Sequence, residues 1–134
     1  MTDDICAKNT PGRSAPKGLR VLHARLQSAM ALTDYVTLGN SGLRVSPFCL
    51  GAMTYGEDWG WGSSVAESHA IMSRFIERGG NFIDTANVYT KGHSEKIIGD
   101  FIGGDAHQRD RVVIATKFFG NLYPGDPNGG GCGR

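Results

Sequence analysis

The sequence contains few cysteines, and they are too widely spaced to form a disulfide framework or a zinc site. Cys6, Cys49 and Cys132 are odd in number and include no C-x-x-C pair, and the four histidines show no H-E-x-x-H spacing. This pattern is typical of reduced thiols in the cytosol. We therefore expect a cytoplasmic protein without a metal site.

The chain also lacks a charge excess and a long apolar run. Its net charge is only +1, whereas a surface that binds nucleic acid normally carries a clear basic excess. No apolar run approaches the ~20 residues that a membrane-spanning helix needs. A nucleic-acid partner and a membrane span are therefore not expected.

The first 32 residues differ from the remainder in charge. They hold five basic and two acidic side chains. A transit peptide is one explanation, although the acidic Asp3 and Asp4 disfavour it. We interpret residues 1–32 as a flexible basic extension and residues 33–134 as the start of a folded domain. Four apolar side chains in the extension recur at a spacing that permits a short amphipathic helix: Leu19, Leu22, Leu26 and Met30.

A β-hairpin is predicted at the start of the folded domain. Residues 35–38 and 43–46 are short strand-like runs, and Gly39 and Gly42 between them supply the backbone freedom of a tight turn. Residues 48–50 then form an apolar run, which predicts a strand buried on both faces.

Helices and strands alternate from residue 64 onward. Ser64 and Glu67 form a capping-box signature that predicts the start of a helix, and Gly79 marks its end. The apolar spacing predicts a second helix from about residue 94 to residue 102. A short apolar strand follows each helix.

This alternation predicts a parallel sheet with right-handed crossovers. Three parallel strands alone leave two unpaired edges and an open face, and residues 120–134 show no helical pattern that could cover them. We therefore predict an α/β chain that forms a partial TIM (β/α)8 barrel. It would comprise an N-terminal β-hairpin and about three βα units, and end before the fourth strand.

Three polar side chains mark the predicted functional site. Asp84 and Lys117 end the second and third strands, and Tyr89 follows five residues after Asp84. Because the carboxyl ends of parallel strands meet at one edge of a sheet, we expect these side chains to lie close together. An ammonium lowers the pKa of a nearby phenol from its usual ~10, and a carboxylate keeps that ammonium charged and oriented. The trio predicts a proton donor with its two tuning groups; a structural ion pair beside a packing tyrosine is the alternative.

The segments that carry this trio resemble the signature sequences of the aldo-keto reductase family. The resemblance covers about residues 34 to 130, and the motifs occur in the family's order. The matching segments are residues 38–46, 50–56 and 113–117, together with residues 81–89 and the Ser94, Glu95 and Gly99 that follow them.

The resemblance implies a TIM barrel, closed at its base by the hairpin, that reduces aldehydes and ketones with NADP(H). In that family a hydride passes to the carbonyl carbon while a tyrosine protonates the oxygen. Asp84, Tyr89 and Lys117 match three of the family's four catalytic positions. The fourth, a histidine at the end of the fourth strand, has no match here, so residues 33–134 are expected to be an incomplete reductase, inactive alone. Ala52, Met53 and Asp84 would lie near the nicotinamide.

The substrate implied by the resemblance is a small carbonyl compound, and the oligomeric state stays open. Residues 54–62, the predicted first βα loop, carry Tyr55, Trp59 and Trp61. These aromatic side chains predict either a substrate pocket or packing within the loop.

Two other interpretations of the chain stay open. Potassium-channel β subunits resemble the same family and use the barrel as a binding module, often behind an N-terminal extension. The chain would then be a non-catalytic binding module. Alternatively, it is a truncated product without a function, and the open sheet edges then predict aggregation or rapid proteolysis.

Overall fold

The computed structural model describes residues 30–129. The predicted basic extension therefore lies almost wholly outside the described residues, and its boundary stays a prediction. The elements are β1 (Val36–Thr37), β2 (Arg44–Val45), β3 (Leu50–Gly51), α1 (Val65–Glu77), β4 (Phe82–Asp84), α2 (His93–Ile102), α3 (Ala106–Arg111) and β5 (Val113–Ala115). None of the helices in this part of the chain is long and apolar enough to cross a membrane.

The predicted hairpin is confirmed. β1 pairs antiparallel with β2, so that Val36 lies opposite Val45 and Thr37 opposite Arg44. The turn between them contains Gly39 at a φ of +57°, a backbone conformation that residues with a Cβ atom adopt only at a steric cost. Of the four paired residues only Val45 is buried, so the hairpin presents one apolar contact to the domain.

The parallel sheet is also confirmed. Its strand order is β3-β4-β5, with Gly51 opposite Asp84 and Asp84 opposite Ala115. The middle strand therefore ends level with the carboxyl ends of both neighbours. This register brings the residues that follow each strand to one edge of the sheet, where parallel α/β proteins form their sites.

Helix α1 follows the predicted capping box. The Ser64 side chain accepts from the Glu67 amide, and the Glu67 carboxylate accepts from the Ser64 amide at 2.9 Å. Both bonds satisfy amide groups that the first helical turn leaves unpaired. The helix ends at Glu77, and Gly79 follows at a φ of +91°. Met72 on the inner face of the helix is fully buried.

Apolar side chains from the sheet and from α1 and α2 form one core. Burial of this surface supplies the main driving force for folding, at about 25 cal/mol per Å² of apolar area. The buried members of the core are Ala52, Tyr55, Met72, Ile83, Ile97, Ile98, Ile102 and Val112.

The first strand of the sheet differs from its prediction. Residues 48–50 were expected to be a strand buried on both faces, but β3 is Leu50–Gly51 and both Phe48 and Cys49 are exposed. The reason is a local turn, in which the Ser46 hydroxyl donates to the carbonyl oxygen of Phe48 at 2.8 Å. That turn directs the chain away from the sheet until Leu50.

Helix α3 lies between α2 and β5, at a position where no helix was predicted. Its N-cap is Asp105, whose carboxylate accepts from the His107 amide at 2.9 Å. An aspartate at this position is a normal N-terminal signal. The helix has no buried residue, which explains why the apolar pattern gave no sign of it.

The hairpin is attached to the sheet through Asn81, the residue before β4. The Asn81 Oδ1 atom accepts from the Ser46 amide at 2.7 Å, and its Nδ2 donates to the Arg44 carbonyl at 3.1 Å. The Asn81 amide in turn donates to the Ser46 hydroxyl at 3.3 Å. Ser46 is buried, so these hydrogen bonds replace the ones that its amide and hydroxyl would otherwise make with water.

Asn81→Ala is expected to lower the free energy of unfolding by about 1–3 kcal/mol, because it leaves the buried Ser46 amide without its acceptor. Urea denaturation followed by circular dichroism measures the change. Ser73→Ala is the matched control, since the Ser73 hydroxyl bonds only to the exposed Glu77 carboxylate. Equal effects of the two substitutions would contradict the proposed attachment.

Candidate active site

Asp84 and Lys117 form the centre of the predicted site. The Lys117 Nζ atom lies 2.8 Å from Oδ1 and 2.7 Å from Oδ2 of Asp84, and it also donates to the Thr85 carbonyl at 2.9 Å. The Lys117 side chain is 50% exposed and the Asp84 side chain is 37% exposed. An ion pair this accessible to water contributes little to stability, so its geometry is more informative than its energy.

Tyr89 completes the group. Its hydroxyl oxygen is 3.4 Å from the Lys117 Nζ atom, and that nitrogen lies 5.1 Å from the centroid of the Tyr89 ring. The first distance is long for a hydrogen bond. The second is a cation–π distance. The structure thus brings the three predicted side chains together, while their catalytic roles stay predictions.

The carboxylate of Asp84 keeps the lysine charged. Its hydrogen bonds are the main reason that the pKa of Lys117 lies above the ordinary value; the contact with the Tyr89 hydroxyl adds to this effect, and partial desolvation opposes it. Because the pKa is raised in the folded chain, the ion pair is present at neutral pH. Its contribution to stability is lost as the pH rises through the folded-state pKa.

Asn87 and Glu95, which were not assigned a role from the sequence, hold the segment that carries Lys117. The backbone amide of Asn87 donates to the Lys117 carbonyl at 2.9 Å, and the Asn87 side-chain nitrogen donates to the Phe118 carbonyl at 3.2 Å. The Thr116 hydroxyl donates to the Glu95 carboxylate at 2.5 Å. Asn87 and Glu95 belong to the segments that resemble the family signature, and that resemblance was the one sequence feature that could have indicated their role.

The predicted cofactor residues are attached to Asp84 through the backbone. The Ala52 amide donates to the Asp84 carbonyl at 2.8 Å, and the Ala52 side chain is fully buried. Met53 is 46% exposed. Ala52 therefore fixes the loop, whereas Met53 offers surface on which a ligand could lie.

The three aromatic side chains of the first βα loop do not form one group. Tyr55 is only 2% exposed and belongs to the core, whereas Trp59 and Trp61 pair with each other at a centroid distance of 5.4 Å. Trp61 is 53% exposed. The loop as a whole is joined to α2 by Asp58, whose carboxylate lies 2.7 Å from His93 Nδ1.

Burial affects the chemistry of Tyr55. No described residue lies within hydrogen-bonding distance of its hydroxyl, and desolvation raises the pKa of Tyr55 to about 12. A buried hydroxyl without a partner costs free energy relative to water. The structure thus separates Tyr55 from the two tryptophans, and its place in a substrate pocket stays a prediction.

No group of three or more His, Cys, Asp or Glu side chains within residues 30–129 is placed to hold a metal ion. The polar groups that the described site brings together are the Lys117 amine, the Tyr89 phenol and the Asp84 carboxylate. The geometry fits proton donation to an oxygen atom that gains negative charge.

Comparison with known proteins shows one consistent relationship. The sequence model described as the aldo/keto reductase family matches residues 47–131. Norsolorinic acid reductase stcV of Emericella nidulans is 46% identical over 81 residues, which are 58% of this chain and 21% of that protein. The NADP(+) aryl-alcohol dehydrogenase of Phanerodontia chrysosporium is also 46% identical over 81 residues, with the same coverage.

A solved structure agrees with these sequence matches. An aldo-keto reductase from Bacillus halodurans, in its holo form, superposes with a TM-score of 0.59 at 28% identity, covering 73% of this chain and 30% of that one. The chain thus spans between about a fifth and a third of the length of these relatives. The expected fold, a hairpin and βα units that form part of a TIM barrel, is confirmed.

Asp84→Asn is expected to lower the pKa of Lys117 toward its ordinary value, because the carboxylate is the main cause of the raised pKa. An NMR titration of the Lys117 side chain measures the shift. Asp100→Asn, which breaks the exposed pair with Lys96 at 3.6 Å, is the control and leaves the titration unchanged. An unaltered Lys117 pKa in Asp84→Asn would show that the contact does not hold the charge.

Tyr55→Phe is expected to leave the free energy of unfolding unchanged or to raise it by up to about 1 kcal/mol, since it removes an unpaired buried hydroxyl. The parent chain should lose stability as the pH rises from ~10, where an unfolded tyrosine ionises, to about 12; the variant should lose less. Urea denaturation across this range measures both effects.

Tyr35→Phe is the matched control for that substitution. The Tyr35 hydroxyl donates to the Gly79 carbonyl at 2.8 Å, so its removal should lower the free energy of unfolding by about 1 kcal/mol. A larger loss from Tyr55→Phe than from this control would show that the buried hydroxyl is stabilising.

Proposed function

This chain belongs to the aldo/keto reductase family, and from that membership we propose that it supplies the catalytic tyrosine of an NADP(H)-dependent reductase of aldehydes or ketones. The observation that carries the proposal is the convergence of one amine, that of Lys117, on both the Asp84 carboxylate and the Tyr89 hydroxyl.

Tyr89 acts as the general acid. Its O–H bond breaks as the substrate carbonyl oxygen takes the proton, and the phenolate left behind is stabilised by the Lys117 ammonium 3.4 Å away. Asp84 holds that ammonium in place with two hydrogen bonds. The phenolate regains a proton from water after the alcohol leaves.

The surface beside Asp84 fits the flat nicotinamide end of the cofactor. Gly51 lies opposite Asp84 in the sheet, and a Cβ atom placed on Gly51 would meet nothing within 4 Å. Met53, two residues after Gly51, is also exposed. NADPH bound there would supply the hydride that the carbonyl carbon receives, which balances the proton from Tyr89.

An aryl aldehyde or ketone is the substrate class that we propose. One relative is named an aryl-alcohol dehydrogenase, and the first βα loop presents the Trp59–Trp61 pair. Aromatic side chains bind aromatic rings through stacked or edge-to-face contacts. The Asp58–His93 contact ties this loop to the start of α2, four residues after Tyr89.

The catalytic set is incomplete within these residues. The family resemblance implies a histidine at the end of a fourth strand, and we propose that a fourth strand outside residues 30–129 supplies it. The non-catalytic alternative, a channel-binding module, predicts co-purification with a channel's cytoplasmic domain and stays a prediction.

The test uses a completed barrel, in which residues 1–129 of this chain, Lys117 included, are joined to the remaining helices and strands of the Bacillus halodurans reductase. Tyr89→Phe is expected to lower kcat by about 10²- to 10⁴-fold, because it removes the general acid, and to leave NADPH affinity unchanged. Benzaldehyde and an aliphatic aldehyde of similar size serve as substrates, and NADPH absorbance reports turnover.

Tyr35→Phe is the control, since Tyr35 lies beside the hairpin. The 134-residue chain alone is expected to show neither turnover nor saturable quenching of tryptophan fluorescence by NADPH. Full activity of Tyr89→Phe would refute the assignment of the proton donor. A preference for the aliphatic substrate would refute the aryl class alone.

A further inference from the structure

Three buried hydroxyl groups form a connected network behind Tyr89. We propose that Thr85, Thr90 and Ser94 are positioning residues that fix the Tyr89 phenol relative to Lys117 and to the loop after β3. The proposal rests on the proposed function, because it assigns these residues to the same reaction. Thr90 and Ser94 are fully buried, and Thr85 is 2% exposed.

Thr90 lies in a short 3-10 turn, Tyr89–Gly92 (the Tyr89 turn), and links that turn to the first βα loop. Its hydroxyl donates to the Tyr55 carbonyl at 2.7 Å and accepts from the Ser94 amide at 3.0 Å. One side chain thus anchors the Tyr89 turn to the loop after β3 and to the first turn of α2. Both bonds are buried, where loss of either partner would leave a polar group unsatisfied.

Ser94 extends the network to Ala52. Its hydroxyl donates to the Ala52 carbonyl at 2.7 Å and lies 2.9 Å from the Thr85 hydroxyl. Because the single Ser94 hydrogen is directed to Ala52, Thr85 must be the donor in the second contact. All three hydroxyls are therefore used, and their directions are fixed.

The backbone after Tyr89 is strained. Thr90 has φ 45° and ψ 41°, and Lys91 has φ 57° and ψ 36°. A β-branched residue in the left-handed region is a genuine outlier whose backbone conformation is energetically unfavourable. Such strain persists only where the surroundings over-determine the conformation, and it is concentrated at functional sites. Here the two hydrogen bonds of the Thr90 hydroxyl hold the backbone in this conformation.

The network adjoins Asp84, Tyr89 and Met53 along the chain. Thr85 follows Asp84, and its carbonyl accepts from the Lys117 amine at 2.9 Å. Ala52 precedes Met53, the exposed residue beside the proposed nicotinamide surface. Thr90 follows Tyr89. A shift of any one hydroxyl would therefore move the phenol relative to the amine or to the hydride donor, and a displacement of about 1 Å can cost about 10²-fold in rate.

A purely structural role is the competing explanation. The Thr90 hydroxyl bonds to an amide in the first turn of α2, as a helix cap does, and caps contribute to stability. The two explanations differ in what a substitution changes. A cap affects the free energy of unfolding, whereas a positioning residue affects kcat in protein that remains folded.

The test compares Thr90→Val and Ser94→Ala in the completed barrel. Each is expected to lower kcat by about 10- to 100-fold, with KM for the aldehyde little changed. Thr90→Ser keeps the hydroxyl and is expected to recover most of the rate. Ser73→Ala is the control, because that hydroxyl bonds to Glu77 on the exposed face of α1 and lies outside the network.

A second measurement does not depend on activity. In Thr90→Val, hydrogen exchange of the Ser94 amide is expected to accelerate at least about tenfold, since its acceptor is gone, and NOEs between the Tyr89 ring and the Lys117 side chain should weaken. Thr90→Ser should retain both signals. Circular dichroism and urea denaturation establish that each variant is folded.

Each outcome decides between the explanations. Rates in Thr90→Val and Ser94→Ala equal to that of Ser73→Ala, or variants that lose their fold rather than their turnover, would overturn the positioning role. Absence of Tyr89-dependent reduction in the parent barrel would instead refute the proposed function. In that case the NOE between Tyr89 and Lys117 still decides whether the hydroxyls position the phenol.

Discussion

The hydrogen bonds between the Lys117 amine and the Asp84 carboxylate connect the ends of two neighbouring parallel strands, and the remainder of the site is arranged around them. They are possible because β4 and β5 are in register, with Asp84 opposite Ala115. A parallel pair directs both chains out of the sheet at the same edge. Two residues beyond that edge, the lysine can turn back onto the aspartate and at the same time reach Tyr89.

Side chain to backbone hydrogen bonds help to hold the loops that surround this contact, together with the burial of Ala52 and Tyr55 in the core. Asn87 binds the carbonyls that follow β5, and Thr90 and Ser94 bind the carbonyls that follow β3. These bonds satisfy carbonyl groups of the loop backbone, as buried polar groups require. The residues between Asp84 and Ser94 therefore supply several of the side chains that satisfy this loop backbone.

Much of the fold and the main members of the site were predictable from local patterns. The capping box gave the start of α1, the glycine-flanked turn gave the hairpin, and the alternation of elements gave the parallel sheet. Once the sheet was parallel, the proximity of Asp84 and Lys117 followed from their positions at strand ends. The burial of Tyr55, the exposure of Phe48 and the short helix α3 did not follow, because each depends on neighbours that are distant in sequence or on a turn without an apolar pattern.

The sequence by itself determined which residue types stand at the ends of the strands, where the helices begin, and which family the chain resembles, because these depend on local spacing and on motifs. Only the tertiary structure decided that one amine reaches both Asp84 and Tyr89, and that three hydroxyls connect the Tyr89 turn to Ala52 and Tyr55. The physical reason is that hydrogen bonds require contact within about 3 Å. Residues 28 to 42 positions apart in the chain meet at that distance only after the sheet and helices have packed.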